Sequence, residues 1–186
     1  MEYCCTSRSR RLSYCLLLLV LVCAAVLPVP PAADAAGVPR RLLQTSTCTG
    51  QDFDVPHAHL RARDNVRPLK YTEALSARAA QWAQRFKGDC AAAGPAPGVN
   101  VFLGAAGAAA AWLPSDAVAA WAEEEQHYDY GSNSCSAGHN ACGRYTQMMW
   151  RDTREFGCAV VLCDSGDTLM ACHYEPKGNV AGQRPF

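Results

Sequence analysis

Residues 157–174 read GCAVVLCDSGDTLMACHY: two apolar runs, Gly157–Cys163 and Thr168–Tyr174, on either side of the turn-forming Asp164-Ser-Gly-Asp167. Short apolar runs bounded by Asp, Ser and Gly read as paired strands. A hairpin centred on Ser165 sets Cys158 opposite Cys172, close enough for a direct bridge. Cys163 stands five residues from Cys158 and therefore points to the other face of the sheet, because side chains alternate along a strand. It needs a different partner, and Cys90 is the natural candidate; Cys135 and Cys142 then close a small local loop. A sheet with helices served from both faces predicts an α+β fold: a three-layer α/β/α sandwich with a mostly antiparallel central sheet, stapled by three disulfides.

The best-determined helix starts at a Thr72 cap, carries Leu75, Ala79, Trp82 and Phe86 on one face, and stops at Gly88. A shorter helix is expected from Asp54, with Pro56 in its first turn and His57 and Arg61 four apart on one face. A third should begin at Ser115 and run through Trp121 to Glu125. Glu124 follows Trp121 by three residues and shares its inward face, whereas Glu123 reads as solvated. A fourth short helix should carry Arg144 to Met149. The stretch from Ala91 to Pro114 is rich in Ala, Gly and Pro and reads mostly as loop, with Phe102 and Trp112 as isolated large apolar groups.

The chain begins with basic residues Arg8, Arg10 and Arg11, an apolar run from Leu16 to Leu27, and a small-residue stretch ending at Ala36. This pattern predicts a signal peptide over 1–36, followed by a flexible leader over 37–50 and the folded domain over 51–186. Pro28, Pro30 and Pro31 close the apolar run before the roughly 20 residues that a spanning helix needs, so no stable membrane insertion is expected. Without residues 1–36 the chain keeps 14 basic and 15 acidic residues, a formal net charge of −1. That balance excludes a basic stripe for nucleic acid. Of eleven cysteines, seven follow residue 36; in an oxidising compartment most should be bridged, with Cys48, in a polar stretch, as the odd one out.

Gly143-Arg-Tyr-Thr-Gln-Met-Met-Trp150, Phe156-Gly-Cys158, Cys172-His-Tyr-Glu-Pro176 and Gly178-Asn-Val-Ala-Gly-Gln-Arg-Pro-Phe186 resemble the plant pathogenesis-related class 1 proteins. These belong to the superfamily, often called CAP or SCP, that also holds cysteine-rich secretory proteins and venom antigen 5. The likeness covers about residues 51–186 and includes Gly88-Asp-Cys90 and the spacing of the six later cysteines. It implies the same sandwich, extracellular (apoplastic) location, a role in defence, and the bridges Cys90–Cys163, Cys135–Cys142 and Cys158–Cys172.

The resemblance also implies a cleft in which two histidines and two glutamates hold a divalent cation such as zinc. Matched position by position, the four places fall on His57, Val99, Glu124 and Arg144, so two of the ligands are replaced. Arginine has five donors and no lone pair, and a zinc site needs three or four ligands at about 2 Å. No metal or other cofactor is therefore expected. Instead, Arg144 should pair with Glu124, with His57 nearby, leaving the cleft neutral.

No Gly-x-Ser-x-Gly elbow, His-Glu-x-x-His helix or phosphate loop occurs in the sequence, so no catalytic residue is assigned and a non-enzymatic protein is expected. A weak hydrolase using His57 and Glu124 is the catalytic alternative. Two binding readings follow from the resemblance: a sterol or other apolar lipid on Phe102, Trp112 and Trp121, or a pathogen surface. Trp121 also reads simply as core. A further reading makes residues 176–186 a releasable signalling peptide, with a tail packed on the domain as the alternative. A monomer is expected.

Overall fold

The computed structural model describes residues 49–108, 111–136 and 141–186. The expected signal peptide, most of the leader and Cys48 lie outside the described residues. The leader's last residue, Gly50, instead opens a short 3-10 turn, Gly50–Phe53, that buries Phe53.

Helix α1 (Asp54–Arg63) accepts Pro56 in its first turn, where the missing N–H has no helical partner to lose, and buries His57, Leu60 and Arg61. Lys70–Tyr71 forms a two-residue strand, β1, that the sequence did not signal. The side chain of Thr72 caps α2 (Glu73–Gln84) by accepting from the Leu75 N–H at 3.4 Å. Leu75, Ala79 and Ala83 form its buried stripe. The helix ends two residues short of Phe86, and the half-buried Trp82 and Phe86 rings pack on each other with centroids 4.7 Å apart.

The expected loop over 91–114 is corrected: Val99–Gly104 is a strand, β2, and Phe102 and Trp112 are not isolated but meet edge to face at 5.4 Å. Alternation had been hidden by the surrounding Ala, Gly and Pro. Helix α3 (Pro114–Ala122) starts one residue earlier than expected, with proline in its first turn, and gives way to a 3-10 turn over Glu123–His127. Tyr128–Asp129 (β3) and Ser134–Cys135 (β4) form a small separate ribbon. Helix α4 (Gly143–Met148) and the hairpin β5 (Glu155–Leu162) and β6 (Thr168–Glu175) complete the chain of elements.

The main sheet has the order β1-β5-β6-β2; β1 runs parallel to β5 and the other pairs are antiparallel. Cys158 faces Cys172 in the hairpin register and bridges it, while Cys163 bridges Cys90 and Cys135 bridges Cys142. Alternation sorts the hairpin side chains into two cores. Phe156, Cys158, Met170, Cys172 and Tyr174 join Phe53, Trp121 and Met148 under α1, α3 and α4. Val161, Cys163, Leu169 and Ala171 join Ala83 and Cys90 on the α2 side. Both faces of the sheet are thus covered, which is why its strands are continuously apolar. Gly157 sits against the backbone of Leu75 and Ser76, where any side chain would collide with α2.

After β6 the chain straps back over α4. Gly178 N–H donates to Gln147 Oε1 at 2.8 Å, Thr146 Oγ1 to Asn179 Oδ1 at 2.7 Å, and Arg151 N–H to Pro185 O at 2.6 Å. Tyr130 Oη donates to Phe186 O at 2.9 Å, and the Arg184 guanidinium lies 4.8 Å over the Tyr130 ring. Among the described residues no helix is long and apolar enough to cross a membrane.

Candidate functional site

Glu124 owes its position to the change from α-helix to 3-10 geometry after Ala122, which turns it inward to 6% exposure while Glu123 and Glu125 stay in solvent. A buried carboxylate must be met by donors, and the start of α4 supplies them. Glu124 Oε2 accepts from the backbone N–H groups of Arg144 at 2.8 Å and Tyr145 at 3.3 Å. Its other oxygen, Oε1, pairs with Arg144 Nε. Arg144 therefore binds Glu124 through both backbone and side chain, and its side chain remains half exposed. This is the ion pair expected from the sequence.

His57 lies elsewhere in the same interior. It is 1% exposed, and its ring bridges Phe53 O through Nδ1 and Tyr174 Oη through Nε2, each at 2.7 Å. A carbonyl only accepts, so Nδ1 carries the hydrogen and Nε2 accepts from the tyrosine. Burial, with the nearby Arg61 cation adding to it, depresses the imidazole to a pKa of about 4 and keeps it neutral. Burial likewise raises Tyr174 far above the usual phenol range. Asn100 Nδ2 contacts Tyr174 Oη at 3.4 Å and donates to Arg144 O at 3.0 Å, so a chain of polar contacts joins His57 to Arg144. His57 reaches the ion pair only through this chain, and it makes no hydrogen bond with Glu124.

A surface groove of about 940 Å³ opens beside the pair, lined in part by Val99, Asn100, Arg144 and Lys177. Val99, matched to a glutamate by resemblance, offers it only an alkyl group. The four matched positions do not fit zinc. Both ring nitrogens of His57 and both oxygens of Glu124 are bonded to protein, and the remaining two positions have no lone pair to give. Among the described residues no group of three or more His, Cys, Asp or Glu is placed to hold a metal ion. The His57/Glu124 hydrolase constellation is not assembled either.

Of the three aromatic residues singled out for lipid, Trp121 is 1% exposed and donates its indole N–H to Val101 O at 2.9 Å, which makes it a core residue. Phe102 and Trp112 are half-buried against that core and do not line the groove. Sequence reasoning gave no role to three side chains that organise the interior: Tyr174, Asn100 and Arg61, the last placed only on one helix face with His57. Arg61, 1% exposed, donates Nε to Arg67 O at 2.6 Å and Nη1 to Met148 O at 2.5 Å and Trp150 O at 3.1 Å. Burial lowers its pKa to about 10, and Nη2 has no partner among the described residues. Its spacing of four from His57 was the available signal.

The sequence pattern of the cysteine-rich secretory protein family matches residues 56–174. The pathogenesis-related protein PRMS of Zea mays is 41% identical over 139 residues, covering 73% of this chain and 81% of that protein. The pathogenesis-related protein PR-1 of Medicago truncatula is 38% identical over 157 residues, covering 82% and 88%. The solved structure of venom allergen-like protein 4 of Schistosoma mansoni superposes with a TM-score of 0.55 at 24% identity over 74% of this chain and 92% of that one, a likeness of fold. With the sandwich, the three bridges and this degree of identity together, the chain belongs to the cysteine-rich secretory protein family, among its plant pathogenesis-related class 1 members.

Proposed function

We propose that this secreted, extracellular plant defence protein acts by binding, through a cleft organised by an internal ion pair where the resemblance implies a divalent cation. Secretion and the defence role follow its pathogenesis-related relatives, and no enzymatic step is part of this reading. The observation that carries the metal-independent reading is the coordination of Glu124: Arg144 Nε and two backbone N–H groups occupy its oxygens. The test is growth inhibition of a plant pathogen by the purified protein with and without a strong chelator. Inhibition unchanged by chelation is expected. Loss on chelation with recovery on adding zinc would overturn the reading.

Binding of a sterol or other apolar lipid is the second reading. It is favoured by the half-buried pair of Phe102 and Trp112 at the far end of β2, backed by Trp121. Sterol uptake by Phe102→Ala and Trp112→Ala variants tests it: reduced uptake supports this surface, and unchanged uptake dismisses it.

A further inference from the structure

We infer that the groove beside Arg144 is a binding site for an extended acidic peptide, which lies along the free edge of β2 and places its carboxylates on Arg144 and Lys177. The inference rests on the metal-independent reading of the cleft and adds the class of its ligand.

Strand β2 is the last strand of its sheet, with β6 on one side only. Tyr174 N–H donates to Gly98 O at 2.9 Å, so the ladder bonds fall on even-numbered residues of β2. Val99, Val101 and Leu103 then turn their N–H and C=O groups outward, and all three residues line the groove. Val99 N–H donates to Ala96 O at 3.0 Å, and Trp121 Nε1 donates to Val101 O at 2.9 Å. Among the described residues nothing takes the Val99 carbonyl, the Val101 N–H or either group of Leu103, which leaves them for an added strand. Unpaired strand edges accept extended peptides in this way, the backbone giving affinity and side-chain contacts giving specificity.

The groove's charge selects the peptide. Among the described residues, Arg144 and Lys177 are the charged residues of its lining, and no Asp or Glu lines it. Most of its neutral amides are committed to the fold: Asn100 to Arg144, Asn133 to Tyr128 and Gln183, Gln147 to Gly178, Asn179 to Gly143 and Thr146. Arg144 uses Nε on Glu124, and among the described residues no protein partner takes its Nη atoms or the Lys177 ammonium. Both residues stem from beside one short stretch of β2: Asn100 donates to the backbone O of Arg144, and a Cβ on Gly98 would come within 2.8 Å of Lys177 Cβ. A guanidinium can hold one carboxylate through Nε and a second through its Nη pair. The volume of about 940 Å³ suits a ligand of several residues, within the roughly 300–1,000 Å³ usual for binding sites. A fatty acid fits less well, because amide side chains interrupt the apolar wall.

The test is isothermal titration of the full chain with two capped pentapeptides, acetyl-Glu-Val-Thr-Val-Glu-amide and the same peptide with Gln in place of Glu, and with decanoate. The acidic peptide should bind one to one and more weakly as salt rises, and the Gln peptide should bind much less. Lys177→Gln, at an exposed residue with no partner among the described residues, should weaken binding about three- to fivefold. Leu103→Pro removes an outward N–H while leaving the ladder to β6 intact and should weaken it about fivefold. If Leu103→Pro fails to fold, Lys177→Gln decides. Equal binding of both peptides, unchanged affinity in the variants, or binding of decanoate without the acidic peptide overturns the inference. Zinc content decides the reading of the cleft separately, whatever the peptides do.

Discussion

Arg144 does at one position what the resemblance assigns to a metal: it satisfies a buried carboxylate. Arg144→Met would leave Glu124 with backbone donors alone, and a loss of about 1–3 kcal/mol of stability is expected. Denaturant unfolding of the two proteins checks it; an unchanged midpoint would mean that the pair contributes nothing. His57 sets a pH dependence. Its pKa of about 4 in the folded protein lies below the ordinary 6.5, so the unfolded chain binds more protons between those values and stability falls as pH drops from about 6.5 to about 4. The shift corresponds to roughly 3 kcal/mol. In a His57→Leu variant this part of the decline should be absent, measured as the difference in unfolding free energy at pH 7 and pH 4.5; parallel profiles would refute it. At this scale Glu124 and Arg144 were legible, the first by its spacing from Trp121 and the second by its misfit to a ligand position. The roles of Tyr174, Asn100 and Arg61 were not, because a polar residue on an apolar face reveals its role only when the partner from a distant segment is in place.

Among the elements, α1, α2 and the β5–β6 hairpin could be read from capping, periodicity and turn chemistry, and the hairpin register alone placed Cys158 against Cys172. Strand β2 escaped because Asn100 breaks the apolar run and Ala, Gly and Pro surround it; the bracketing Gly98 and Gly104 were the available signal. The crosslinks differ in what they close. Cys90–Cys163 spans 73 residues and ties the segment after α2 to the end of β5, whereas Cys135–Cys142 spans 7. Chain-entropy reasoning gives about 4 kcal/mol for the first and about 2 kcal/mol for the second. Paired Cys→Ser variants should therefore lose stability in that order in calorimetry, and a larger loss for the short loop would contradict it.

For the whole molecule, three layers bury both faces of the sheet, and the strap from Gly178 to Phe186 closes over α4 and forms part of the groove wall. The layer order was readable because Cys158 and Cys163 point to opposite faces. The groove was not, since its walls come from the segment before β2, the start of α4 and the strap, which lie far apart in sequence. On the function proposed, this cleft is complete without a metal. Zinc titration of the purified protein followed by elemental analysis tests it most directly, with a Val99→Glu/Arg144→His variant as the positive control. The natural sequence should retain far less than one zinc per chain, and the variant should take up about one. Stoichiometric zinc held by the natural sequence at micromolar strength or tighter would show instead that a metal completes the cleft.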